Sequence, residues 1–125
     1  MEQKQTKGDM EKKIYTIDAT GEKLGRVATR AVALLIGKQL VEFARNKVFN
    51  VQVVINNASK LDIMEGKLKK SYKRFSGYPG GLHEKSMEQI MERKGKGTVL
   101  KLAISGMLPH NKLKSRVIRN LIINE

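Results

Sequence analysis

The chain has 125 residues, 25 of them Lys or Arg and 12 Asp or Glu, which leaves a formal net charge of +13. At 40% apolar content it can fill one modest core but hardly two. With no Cys and only His83 and His110, it has neither a disulfide framework nor a zinc ligand set, and its longest apolar run, Ala31 to Ile36, is far below the roughly 18 residues a membrane-spanning helix needs. Residues 1–12 mix Lys with acids and lack an apolar block, so they read as a flexible polar tail rather than a secretory signal or an Arg-rich transit peptide. A cytoplasmic chain with one domain over 13–125 is expected.

Ile14 to Asp18 is β-branched and aromatic and reads as a strand closed by Ala19-Thr20-Gly21. Leu24, Val27, Ala28, Ala31, Leu34 and Leu35 then recur with helical period up to Gly37, and Arg26, Thr29 and Arg30 fall off that stripe, free to meet phosphate. Gly25 sits in the first turn of this helix, where it costs about 1 kcal/mol relative to Ala. Either a neighbouring strand or an RNA backbone approaching closely would account for it. Val51 to Asn56 is nearly all apolar and β-branched, which suits a central strand covered on both faces. Leu61 to Met64 and Lys67 to Phe75 read as two short strands around Glu65-Gly66.

Ser76 to Gly81 is a loop by composition. Ser86 with Gln89 matches a capping box that opens a helix ending at Gly95; another helix is expected over Thr98 to Ser105 with Gly106 just beyond. Pro109 blocks continuation, and a last helix from Asn111 would dock through Leu113, Val117 and Leu121, with Lys112, Arg116 and Arg119 on another face. Strand, helix, strand and then several helices make an α/β pattern.

Charge is unevenly placed. Lys67, Lys69, Lys70, Lys73 and Arg74 fall in one acid-free run, and Lys112, Lys114, Arg116 and Arg119 in another, whereas Glu84 to Lys101 mixes both signs. A single Lys-rich run serves solubility as readily as binding; two in one small domain point to a polyanionic partner, nucleic acid first. Tyr72, Phe75 and Tyr78 interleave with Lys73 and Arg74. Tyr72 and Phe75 either fill the core or stack on bases, and Tyr78, between glycine and proline, is the better stacking candidate. The carboxylates Asp18, Asp62 and Glu65 have no partner at short spacing and no nearby His, which argues against acid/base catalysis. The Ser76 to Gly81 loop lacks the Gly-Lys-Ser/Thr ending of a phosphate loop, so a nucleotide-binding enzyme is the weaker reading.

Four segments taken together carry a resemblance: Ile17-Asp18-Ala19-Thr20-Gly21 with Leu24-Gly25-Arg26-Val27-Ala28-Thr29; Val53 to Ala58; Ser76-Gly77-Tyr78-Pro79-Gly80-Gly81-Leu82; and Gly106-Met107-Leu108-Pro109. In this order they resemble the bacterial type of large-subunit ribosomal protein thirteen, from about Lys13 to Ile123. The stretch Phe43 to Val51 departs from it, lacking the family's Asp-x-Gly-Asp. The resemblance implies a three-layer α/β/α domain around a small, mainly parallel four-stranded sheet. It implies a constituent of the large (50S) subunit that binds 23S ribosomal RNA and acts early in assembly. No enzymatic activity, cofactor, metal, membrane or small-molecule substrate is implied. The implied neighbours are the third and twentieth large-subunit proteins, and a regulatory role on messenger RNA is a further possibility for a basic fold of this kind. RNA contact is implied at Gly25, Arg26, Lys69, Lys70, Lys73, Arg74, Ser76, Gly77, Tyr78, Gly80, Gly81, Met107 and Pro109. Arg30, Lys67, Lys112, Lys114, Arg116 and Arg119 join them by charge, with His83, where the family commonly has Lys, and His110 beside Pro109.

Overall fold

The computed structural model describes residues 12–125, so the tail expected over 1–12 lies, apart from exposed Lys12, outside the described residues. Strand β1 (Lys13–Asp18) leads through the turn at Ala19 to Gly21 into helix α1 (Leu24–Leu35), and the chain returns as strand β2 (Val51–Asn56) parallel to β1. Val27, Ala28, Ala31 and Leu35 of α1 are buried, which is the face the helical periodicity selects. Along β2 the alternation sends Val51, Val53 and Ile55 inward.

Two short 3₁₀ turns, Ala58–Lys60 and Glu65–Lys67, precede strands β3 (Ser71–Phe75) and β4 (Leu82–Ser86), which form an antiparallel hairpin. Helix α2 (Met87–Lys94) opens on a complete capping box: the Ser86 hydroxyl accepts from the Gln89 N–H, and the Gln89 side chain accepts from the Ser86 N–H. Helix α3 (Lys96–Met107) follows after one residue, Gly95, which ends one helix and starts the next at φ +83°. That left-handed angle is strained for any residue with a Cβ. The chain closes with the five-residue helix α4 (Lys114–Ile118) and strand β5 (Leu121–Ile123), parallel to β2 on the side away from β1.

One core results. Ile17, Val53 and Ile55 from the sheet meet Val27 and Leu35 of α1, and Leu100 and Ile104 of α3. Leu61, Leu108 and Val117 seal it from the connecting segments. Among the described residues no buried side-chain polar atom lacks a hydrogen-bond partner.

The mixed α/β class holds, but several details differ from expectation. The sheet has three parallel strands, ordered β1-β2-β5, with the hairpin separate, instead of four in one sheet. Leu61 to Met64 is held between the two 3₁₀ turns. It is too short to run along a neighbour and makes only an isolated parallel bridge, Lys23 to Asp62. The hairpin turns at Ser76 to Gly81, not at Glu65-Gly66, because Ser71 to Phe75 pairs with the segment after the loop. Leu121 belongs to a strand rather than to the last helix: the Val53 N–H donates to the Asn120 carbonyl at 2.9 Å and the Asn124 N–H to the Ile55 carbonyl at 2.8 Å. Gly106 lies inside α3, whose last turn is extended by burial of Ile104 and Leu108. The sheet is covered on one face only by the described residues, so the expected third layer is not among them. Ile14 and Ile122 on the opposite face are 62% and 40% exposed.

A long-range cap ties the end of the chain to α3. The Gly97 N–H, one of the first-turn donors that no helix carbonyl can satisfy, donates to Glu125 Oε1 at 3.0 Å. Glu125→Ala should therefore cost about 1 kcal/mol, read as a lower urea midpoint with an unchanged slope. An unchanged midpoint would mean the carboxylate is replaced by water without loss.

Candidate nucleic-acid interface

Three groups of sequence-selected residues are placed by this fold. The first surrounds the start of α1. Gly21, Glu22, Lys23, Gly25, Arg26 and Arg30 line an open hollow of about 720 Å³. Among the described residues, a Cβ built on Gly25 would meet no atom within 4 Å, so none of the described strands explains that glycine. Of the two sequence readings, the neighbouring strand finds no support among the described residues. Arg26 is exposed and makes no ion pair among the described residues, whereas Arg30 is paired with Glu22, and Lys23 with Asp62 at 3.0 Å. Arg30 therefore reaches a phosphate only by sharing its guanidinium with Glu22.

The turn into α1 is set by Asp18. Its Oδ1 accepts from the Thr20 hydroxyl at 2.7 Å, the Thr20 N–H at 3.0 Å and the Asn57 amide at 3.1 Å. These bonds, the Thr20 hydroxyl foremost, hold the carboxyl at about 2, below its usual 3.8. Because the folded value is depressed, the stabilisation is complete above the unfolded value and is lost as pH falls from about 4 towards 2. Urea midpoints measured at pH 5 and pH 2.5 should separate wild type from Asp18→Asn at the higher pH and narrow the gap at the lower. A constant gap would show that the ionised carboxylate contributes nothing.

The second group is the β3–β4 hairpin, and its register sorts the charges by face. Tyr72 lies opposite Lys85 and Arg74 opposite His83; Lys73 lies opposite Glu84 and Phe75 opposite Leu82. Directly opposed residues project to the same side. One face thus carries Tyr72, Arg74, His83 and Lys85 with no acid, and Lys70 Nζ stands 5.4 Å from the Tyr72 ring centroid. On the other face Lys73 is offset by Glu84 at 3.6 Å. Lys85 was hidden from sequence reasoning by the mixed charges that follow it, and only pairing to β3 reveals it. Burial raises the Tyr72 phenol above its usual value, so it remains a neutral hydrogen-bond donor beside these cations.

Phe75 does not fill the core. It is 67% exposed, and Tyr78 at the tip is 77% exposed, so both rings are open to stacking. In the loop that carries Tyr78, Gly77 and Gly80 adopt φ +90° and +73°. Ser76 is exposed and Gly81 is buried at the base of the turn, where its N–H donates to the Tyr78 carbonyl and its carbonyl accepts from the Ser76 N–H. Gly81 is therefore a turn former with little of its surface open to a ligand. Lys67 and Lys69 are exposed just ahead of the hairpin.

The third group follows α3. Met107 and Pro109 are exposed, and Leu108 between them is buried. The Thr29 hydroxyl, bonded to the Gly25 carbonyl at 2.9 Å, also lies 3.9 Å from Met107 Sδ, which joins this segment to the α1 hollow. His110, Lys112, Arg116 and Arg119 are exposed and Lys114 is half-buried. They do not form the expected helical row: Lys112 precedes α4 and Arg119 caps its end, because the chain must leave the helix early to reach β5.

Among the described residues, no three His, Cys, Asp or Glu side chains are grouped as a metal site requires, and no helix is long and apolar enough to cross a membrane.

Residues 12–125 match the profile of the family described as Ribosomal protein L13. The chain is 41% identical over 114 residues to the large ribosomal subunit protein uL13 of Symbiobacterium thermophilum, covering 90% of this chain and 79% of that protein. It is 42% identical over 113 residues to the uL13 of Desulfitobacterium hafniense, with 90% and 78% covered. To the uL13 of Mycobacterium tuberculosis it is 44% identical over 115 residues, with 91% and 78% covered.

Proposed function

The chain belongs to the ribosomal protein L13 family, and we propose that it works as a structural constituent of the large (50S) ribosomal subunit in the cytoplasm, binding 23S ribosomal RNA and supporting early subunit assembly. The observation that carries this reading is the acid-free face of the hairpin, where Arg74, His83 and Lys85 surround Tyr72 beside exposed Phe75 and Tyr78. Cations on such a face replace condensed counterions on phosphates, and the open rings accept unpaired bases. Placement by shape and backbone suits RNA, whose deep major groove resists reading by side chains. Neighbouring large-subunit proteins of the third and twentieth families are the protein partners in this reading. The chain holds RNA segments in place and converts no substrate.

Sedimentation of a native lysate containing the tagged chain tests the reading. The chain should travel almost wholly with large subunits; a chain that stays at the top of the gradient would sink it. Gly25 supplies a sharper test, since none of the described residues occupies the space in front of it. Gly25→Ala should leave stability unchanged or raise it by up to about 1 kcal/mol through helix propensity. Binding to a ribosomal RNA transcript should weaken in the same variant. Loss of stability with intact binding would return the glycine to a purely structural role.

A further inference from the structure

Between α1, the segment 38–47 and the segment 107–117 lies a cleft of about 380 Å³. Its floor is the core itself, with Val32, Leu108 and Val117 nearly buried. Phe43, 38% exposed, and Met107, 46% exposed, supply apolar walls. Lys38, Arg45, Lys47 and Lys114 line the same cleft, no acidic residue does, and none of the four cations has an ion pair among the described residues.

That combination constrains the occupant. Uncompensated cations beside exposed apolar surface want a ligand that brings negative charge and a flat apolar body together. A nucleotide does both, with a π-face for the walls and a phosphate on each side. The cleft is also continuous with the RNA face described above, because Met107 contacts Thr29 of the α1 hollow. We propose that this cleft takes one unstacked nucleotide of the ribosomal RNA, its base against Phe43 and Met107 and its flanking phosphates on Lys38, Arg45, Lys47 and Lys114. The inference rests on the RNA-binding reading and adds a second site, apart from the hairpin, to it.

The test uses the full chain with ¹³C-labelled methionine methyl groups, the Met107 signal being assigned from a Met107→Leu variant. Three probes are added in turn: a single-stranded hexanucleotide RNA, the same backbone with abasic central positions, and an acidic hexapeptide rich in Leu and Phe. The RNA should shift the Met107 methyl saturably, and the abasic strand should bind there roughly ten-fold or more weakly. Arg45→Gln with Lys47→Gln, both in an exposed loop, should lower the log–log salt slope of that shift by about 1.4, the value for two phosphates of a single strand. A Met107 signal that ignores RNA, responds equally to the abasic strand, or responds to the peptide alone would overturn the proposal. If that happens while a ribosomal RNA transcript still binds with steep salt dependence, only the cleft is lost. Absence of transcript binding as well would remove the parent reading.

Discussion

Replacing Lys70, Arg74 and Lys85 together with Gln is expected to lower the log–log salt slope for binding a 23S ribosomal RNA transcript by about 2 to 3, at 0.7 to 0.9 per phosphate contact. Incorporation into large subunits should fall with it. The three side chains belong to the hairpin face that carries no acid, so each is free to replace a counterion. Lys73→Gln alone should have a smaller effect than any one of the three, because Lys73 already spends part of its charge on Glu84 across the hairpin. Far-ultraviolet circular dichroism should be unchanged, since all four residues are largely exposed and none contributes to the core. A triple variant with wild-type slope, or a Lys73 variant that loses more than the triple, would show that the other face meets the RNA.

The second large effect is in the Gly106 to Pro109 segment, where adjacent residues have opposite jobs. Leu108 is 1% exposed and packed with Ile104 and Val117 in the core. Leu108→Ala should destabilise the domain by about 2 to 5 kcal/mol through lost transfer free energy and the cavity left behind. That is a large fraction of the ~5 to 15 kcal/mol that holds a domain of this kind together, and the midpoint of thermal unfolding should drop by about 10 °C or more. Met107→Ala, by contrast, trims a side chain that is half in solvent, so stability should change by less than about 1 kcal/mol while RNA binding weakens. Calorimetry and binding measured on the same two variants separate the roles. Equal stability losses would contradict the burial pattern, and a stable Leu108→Ala protein would show that the segment repacks.

How far the sequence could be read depended on how local each cause was. The helix over Leu24 to Leu35, the strand over Val51 to Asn56 and the Ser86–Gln89 cap were legible because each rests on periodicity or hydrogen bonds within a few residues. The acid-free run at Lys67 to Arg74 was legible for the same reason. The spacing of Leu121 from Leu113 and Val117 fits both a helix and a short strand, and pairing with Val53, far back in the chain, makes it a strand. The sequence sets the strand turn at Glu65-Gly66 and the structure sets it at Ser76 to Gly81, because no local rule weighs a short turn signal against the longer glycine loop. Helical spacing leaves Arg30 a free cation because it says nothing about Glu22, which folds back onto it from the preceding turn.

The amino-acid order alone therefore determined the charge, the family motifs, the α/β class and the helix that carries Gly25 and Arg26, since all of these follow from composition and short-range pattern. Tertiary structure decided which cations act together. Strand register set Lys85 and His83 beside Arg74 and Tyr72, and helix packing brought Thr29 to Met107. The reason is physical: side-chain periodicity is a property of neighbours along the chain, while the face a charge shares, and the acid that cancels it, depend on contacts between segments that only the folded core brings together.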